Sequence, residues 1–336
     1  MIGRGSARCF TPTWSTLRFA SLLILVACGG TLDAGQDEHQ GLLPVDGRNP
    51  TILLGDGFVD NWQGEYALLY AATGRLSLVG IVVDTSPTWT NIDDLMAGWR
   101  QMTTAASQSG MKNIPAPMAS LGPALVRPAD GNIDLTQSNS SEGAHFIVNA
   151  SKELARSYRP LVILTGCHLT DVADAYLLDH TVVDRVVVVA ALGSVTASGG
   201  LMGVANGEMD PWADVIVASK FTYIQVSTYY DPMSDVPSDL LPQLPATPFT
   251  TWIKNKQPKV WDDLDAADQN AVNALVLPKF VTATQKVALQ LPASGSVPPL
   301  IKDALGSIML VTQVSGAIAT STLWQMLLDP STYAAK

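Results

Sequence analysis

The chain has 336 residues, a formal net charge of −10 at pH 7 and 15% charged residues. That acidity, with no basic patch interleaved with aromatics, argues against a nucleic-acid backbone as partner. No apolar run after the leader reaches membrane-spanning length, and the remaining length suffices for one large α/β domain.

The leader comes first. Arg4, Arg8 and Arg18 make it positive and free of acids, and residues 19–26 form a mostly apolar run. Such a run suits a signal h-region and is too short to span a bilayer. It ends Leu25-Val26-Ala27-Cys28, which resembles the lipobox of bacterial lipoproteins. The resemblance implies cleavage of residues 1–27 and acylation of Cys28 on its thiol and new amino group. The protein is then exported and lipid-anchored to a bacterial membrane, on the periplasmic or cell-surface face; more than one acyl chain makes such an anchor stable. A plain secretory signal cut nearby is the alternative. Cys9 leaves with the leader and Cys28 becomes a thioether, so Cys167 is the remaining thiol and no internal disulfide is expected. Residues 28–49, polar and without periodicity, read as the lipidated cysteine and a flexible tether. Residues 50–336 are the folded domain.

Within that domain strand and helix patterns alternate. Ile52, Leu53 and Leu54 read as a doubly buried strand, with Tyr66, Leu68, Leu69 and Tyr70 in the following helix. Residues 76–83 read as a second strand, 92–107 as a helix and 114–118 as a short third strand. A long irregular loop spans 121–141. Helix over 142–158, strand over 161–165, helix over 169–178 and strand over 186–192 follow. Asp210-Pro211 marks a helix start, an acid N-cap followed by proline. Residues 221–227 alternate as a strand, 231–258 are proline-dense with short helices at best, 265–276 are helical, 280–291 extended, and 324–328 lie in a closing helix. This alternation predicts an α/β fold with a mostly parallel central sheet and helices on both faces.

The first strand ends at Gly55-Asp56-Gly57, with Asp60 and Asn61 shortly after. In open α/β sheets ligands bind at the carboxyl ends of the strands. Two carboxylates and a carboxamide there suit a hard cation or sugar hydroxyls. Helix capping by Asp60 or Asn61 is the bland alternative, and it leaves Asp56 unexplained.

The chain resembles the inosine–uridine nucleoside hydrolases, calcium-dependent enzymes that cleave the N-glycosidic bond of ribonucleosides. LGDGFVDNW at 54–62 stands where the family has DxDPGxDDA, LVILTGCHLTD at 161–171 where it has TGPLTN, VANGEMDPWAD at 204–214 where it has EFNxxxDPEAA, and ADQNAV at 267–272 where it has HDPxAV. VVVVAALG at 186–193 stands in place of its VVMGG strand. The resemblance implies that Asp56 holds calcium and takes the proton from the attacking water. Asn61, Asp268 and the Thr165 carbonyl would be further metal ligands, and Asp60 and Asn206 ribose contacts. Four positions depart from the family pattern, the first being Leu54 in place of the opening motif's first acid. Asn61 replaces a metal-binding acid, Val204 a glutamate and Ala267 a histidine, and the calcium site is expected to be weakened.

Of the four histidines, only His168 falls near the implied site. It is read as a loop residue making local hydrogen bonds, with a role near the leaving base as the alternative. His145 is read as a partly buried helical residue. Trp62, Trp89 and Trp212 are read as core or pocket-filling rather than base-stacking. The expected function is a lipid-anchored hydrolase of nucleosides or related N-glycosides, using a calcium-bound water. A catalytically inactive ligand-binding or interaction lipoprotein on the same fold is the alternative. The oligomeric state, including a homo-oligomer, is left open.

Overall fold

Five successive residues, Thr51–Gly55 with Ile52, Leu53 and Leu54 at their centre, form β1 in the middle of the main sheet and are buried throughout. The computed structural model describes residues 41–57, 62–87, 89–202, 205–226, 238–256, 268–291, 293, 300–302 and 308–334. Cys28, Asp60, Asn61, Val204 and Ala267 lie outside them.

After β1 come α1 (Gln63–Ala72), β2 (Leu78–Val83), α2 (Ile92–Gln108), β3 (Pro117–Ala119), α3 (Glu142–Leu154), β4 (Leu161–Thr165), α4 (Thr170–Leu178) and β5 (Val186–Ala191). Then follow α5 (Ala205–Glu208), α6 (Pro211–Lys220), β6 (Thr222–Val226), α7 (Pro248–Lys256), α8 (Gln269–Val276), β7 (Val281–Val287), β8 (Leu289–Leu291), β9 (Leu300–Lys302), β10 (Ile308–Val314) and α9 (Gly316–Leu328). The main sheet runs β3-β2-β1-β4-β5-β6-β10-β7. Every pair in it is parallel except β10 with β7. The predicted α/β fold is thus the observed one.

Both faces of the sheet are covered, which is why its strands read as continuous apolar runs. Side chains alternate across a strand. Leu53, Val162 and Leu164 therefore join α1, α2 and α8 in one core, and Ile52, Leu54 and Ile163 join α3, α4 and α6 in the other. Trp62 is fully buried in the first, Trp89 packs partly buried against it, and Trp212 is buried in the second. The Trp212 indole donates to the Thr136 hydroxyl at 3.0 Å.

Several boundaries differ from the sequence reading. The third strand is shorter and lies at its carboxyl end, Pro117–Ala119. The helix from Glu142 stops at Leu154, because Arg156 and Arg159 then pair backbone to backbone in a tight bridge. β10, which had no counterpart in the sequence reading, inserts beside β6. The N-cap of α1 is Trp62; Asp60 and Asn61, read as the start of this helix, lie outside the described residues. His145 is exposed, its Nε2 2.7 Å from the Ser140 hydroxyl.

The chain leaves β1 for β2 and β3 on one side and returns through β4 on the other. The strand order therefore reverses between β1 and β4. Crevices at such switch points are where α/β sheets hold ligands.

Candidate functional site

Asp56 follows β1 at that reversal and is only 4% exposed. Its Oδ1 accepts the Gly57 N–H at 2.6 Å, and its carbonyl accepts the Trp99 indole N–H from α2 at 3.0 Å. On the neighbouring strand, Thr165 closes β4 opposite Leu54, and Gly166 N–H bonds the Leu54 carbonyl at 3.2 Å.

Gly166 is where a side chain cannot stand. A Cβ there would lie 2.7 Å from Gln63 Nε2 and 2.8 Å from the Asp268 Cβ. The bare backbone lets the start of α8 approach the end of β4. Asp268 occupies the N-cap of α8, yet its carboxylate makes no capping hydrogen bond. Its Oδ1 instead accepts from Asn206 Nδ2 at 2.8 Å, and the same amide reaches the Ala191 carbonyl at the end of β5 at 3.2 Å. Asn206 is seated by Gly207, whose N–H bonds the Leu192 carbonyl and whose missing side chain makes room for Ser194 Oγ and the Asp214 carboxylate. Leu192 itself holds a left-handed backbone (φ 54°), strain of the kind that collects at functional sites.

Thr165, Asp268 and Asn206 therefore meet at the β4 and β5 strand ends, and Asp56 closes the adjacent strand. Gln63 spans the gap, since a Cβ on Gly55 would lie 3.2 Å from its Oε1.

A second set of acids lies on the β2 side. Asp84 follows β2 as Asp56 follows β1, and its N–H bonds the Gly55 carbonyl at 3.1 Å. It is 2% exposed; Oδ1 accepts the Thr85 N–H at 2.7 Å, while Oδ2 has no hydrogen-bond partner among the described residues. Burial pushes its pKa up to about 9, reinforced by Asp171 and then by Asp56 and Glu142, with the Thr85 N–H pulling the other way. Asp171, in the first turn of α4, is also raised, mainly by burial; the Ser141 and Ser120 hydroxyls at 2.7 and 2.9 Å, and then His168, oppose the rise. The Cys167 thiol is raised by burial first and by the Asp56 charge second, so it is an inert, protonated thiol.

Asp84 and Asp171 were not singled out in the sequence. The signal for Asp84 was present: an acid directly after an apolar strand, as at Asp56. Asp171 carries no comparable signal, because its environment is created by the packing of α3 against α4.

The donors at the β1–β4 end are carboxylate, amide and carbonyl oxygens, the chemistry a hard cation takes. Among the described residues, no group of three or more His, Cys, Asp or Glu side chains is arranged to hold a metal ion.

No family model matches the chain, and no curated protein matches it. Solved structures do match. An inosine–guanosine nucleoside hydrolase superposes with a TM-score of 0.58 at 17% identity, covering 85% of this chain and 100% of its own. The purine-preferring ribonucleoside hydrolase from Gardnerella vaginalis gives 0.58 at 15%, covering 84% and 99%. The type III effector protein XopQ, complexed with adenosine diphosphate ribose, gives 0.53 at 13%, covering 87% and 96%. At these identities the likeness establishes the fold, a nucleoside-hydrolase-like α/β architecture, and fold alone does not carry function.

Proposed function

We propose that the chain is a divergent nucleoside hydrolase-like lipoprotein that cleaves the N-glycosidic bond of a ribonucleoside or related N-glycoside. The observation that carries this reading is Asp268. It stands at a helix start without capping it, reaches past Gly166 to the β4 end, and is held by Asn206 at the end of β5. Packing alone gives no reason to place an acid there.

In the proposed reaction water adds to the anomeric carbon as the bond to the base breaks, with positive charge building on the sugar. Asp56 removes the proton of the attacking water, its Oδ1 being steadied by the Gly57 N–H. Asp60 and Asn206 hold the ribose hydroxyls, and the Asn206 amide also fixes the direction of the Asp268 carboxylate. Trp62 and Trp99, both buried, keep bulk water from the rear of the site. Calcium held by Asp56, Asn61, Asp268 and the Thr165 carbonyl would supply a lowered pKa for the attacking water. Oxygen donors at a strand-end crevice suit that ion in kind, and the single amide at Asn61 lowers the charge available to it.

Export and anchoring through Cys28 belong to the same proposal, supported by the arginine-rich leader and the small residues before the cysteine. Among the described residues no helix is long and apolar enough to cross a membrane.

The test is calcium titration with an assay for free base released from ribonucleosides. Millimolar or tighter binding, lost together with base release in Asp56→Ala, supports the enzyme. A chain that binds nucleoside with neither calcium nor turnover is the non-catalytic binding module. Asn61→Asp separates the two. It strengthens calcium binding by about 1–3 kcal/mol if a charge is missing from a cation site, and lowers Tm in calcium if the pocket is metal-free.

A further inference from the structure

The amino ends of the strands, opposite the candidate site, differ in charge from the chain as a whole. The segments that lead into β1, β2, β4 and β5, with the last turn of α3, carry Arg48, Arg75, Arg156, Arg159, Arg185 and Lys152. Their acids are Asp46, Glu153, Asp179 and Asp184, so these segments are together net positive in a chain of net charge −10. Arg48 pairs with Asp46, and Lys152 and Arg185 share Asp179. No ion pair among the described residues engages Arg75, Arg156 or Arg159.

The turn before β4 stands out at this end. Arg156 and Arg159 exchange backbone hydrogen bonds, 2.9 Å each way, and hold Ser157 and Tyr158 at the tip. All four residues are exposed, and Tyr158 is 82% exposed. Arg156 Nη1 also donates to the Glu153 and Ala155 carbonyls, an ordinary use of a cation at a helix end. That use explains neither Arg159 nor an aromatic ring standing in water. The chain enters the domain beside this turn. Asn49 Nδ2 donates to the Pro160 carbonyl at 2.8 Å, and the Val162 N–H to the Pro50 carbonyl at 2.8 Å. Leu43 and Val45 are already packed in the core. The link from Cys28 is therefore short, since residues 28–40 span at most about 45 Å fully extended.

We infer that this turn is the face by which the domain docks on an anionic membrane. Arg156 and Arg159 meet lipid phosphates, and Tyr158, an apolar ring with a polar tip, sits among the headgroups. A link of that length keeps the domain at high local concentration over the bilayer. The chain as a whole is repelled by an anionic surface, so its positive end sets the orientation. The carboxyl ends of the strands, with Asp56 and Asp268, then face away from the bilayer. The inference rests on the anchoring reading for how the domain is brought to lipid, and not on the hydrolase reading.

The experiment follows the exported full chain on vesicles of phosphatidylcholine alone, or of an equal mixture with phosphatidylglycerol. An environment-sensitive dye is attached at the turn through Ser157→Cys, or at the opposite end through Leu121→Cys, Leu121 being 57% exposed just after β3. Cys167 is buried, and the parent carried through the same labelling gives the background from Cys28. The expected result is a blue shift of the turn dye on the mixed vesicles only, reversed by high salt, with no shift at Leu121→Cys. Arg156→Gln with Arg159→Gln moves the docking ratio about 25-fold towards the free domain, about fivefold for each arginine. Arg156→Lys with Arg159→Lys keeps it. Tm is measured in parallel; where Arg156→Gln lowers it, Arg159→Gln alone carries the test with its fivefold effect. A turn dye unmoved on the mixed vesicles, or moved equally on both lipids, would overturn the inference. So would an equal shift at Leu121→Cys, or a shift that survives the loss of both arginines. The anchor fails separately. Exported protein that stays soluble with Cys28 unacylated sinks the anchor, and the dye response to added mixed vesicles still decides the docking face.

Discussion

The two groups of acids at the strand ends are satisfied in different ways. At the β1–β4 junction, Asp56 and Asp268 each accept from an N–H donor, the Gly57 backbone and the Asn206 amide. Such donors stabilise a carboxylate as an anion. On the β2 side, Asp84 and Asp171 are buried beside one another, each with one oxygen lacking a partner, and desolvation dominates. In one group N–H donors meet the acids; in the other burial raises the carboxyl pKa. Position at a strand end brings acids together, and the local donors decide what those acids can do.

A third buried carboxylate sets the scale for breaking the comparison. Glu65 on α1 pairs with Lys256 of α7 at 2.5 Å, and both side chains are almost wholly buried. The ammonium also lies over the rings of Trp62 and Trp252, at 5.7 and 5.3 Å. Removing one partner leaves the other charge buried, so Lys256→Ala should cost about 3–5 kcal/mol. Glu65→Leu with Lys256→Met should recover most of it. Denaturant unfolding of both checks the point, and a double variant as unstable as the single would show that packing, not charge, was lost.

Asp84 gives the next effect, through pH. Its folded pKa of about 9 lies far above the ordinary carboxyl value of 3.8, so between those values the folded state holds a proton that the unfolded state has lost. Stability therefore falls as pH rises through that window and levels off above it. Asp214, raised to about 7 chiefly by burial, adds to the same slope only below pH 7. Between pH 7 and 9 the slope belongs mainly to Asp84, up to about 1.4 kcal/mol per pH unit for one proton. Asp84→Asn should flatten Tm against pH in that range. An unchanged slope would mean that Asp84 is ionised in the folded protein.

Gly166→Ala tests the β1–β4 side. The added Cβ has Gln63 Nε2 and the Asp268 Cβ inside 3 Å, so α8 or Gln63 has to shift. Overpacking of this kind costs about 1–3 kcal/mol. Any calcium affinity should fall with it, because Asp268 is displaced. Loss of stability with calcium binding intact would separate Asp268 from the cation.

How much of this was legible in the sequence follows from what each feature depends on. β1, β4 and β5 are covered on both faces and read directly as apolar runs, and the Asp210-Pro211 cap marks α6. β10 reads Ile-Met-Leu-Val-Thr-Gln-Val and takes its place only through pairing with β6 and β7, far away in the chain. At the site, Asp56, Thr165, Asn206 and Asp268 could be named from local motifs. The opposite character of Asp84 and Asp171 could not, since it comes from burial and from serines on other elements.

The smallest effect concerns Thr170, at the start of α4. Thr170 Oγ donates to Asp210 Oδ2 at 2.7 Å, and that carboxylate also takes the Leu125 N–H at 2.9 Å and caps α6 through Ala213. Asp210 thus ties the 121–141 loop to the starts of α4 and α6. Thr170→Val keeps the shape of the side chain and removes one donor of three. Asp210 retains two N–H partners, so the expected cost is about 1 kcal/mol, that of a single buried hydrogen bond. Denaturant midpoint, together with protease cleavage within 121–141, measures it. A small loss with the loop still protected would mean that the two N–H bonds suffice to hold Asp210. A loss several times larger, with cleavage in the loop, would make the threonine hydroxyl the group that holds the loop in place.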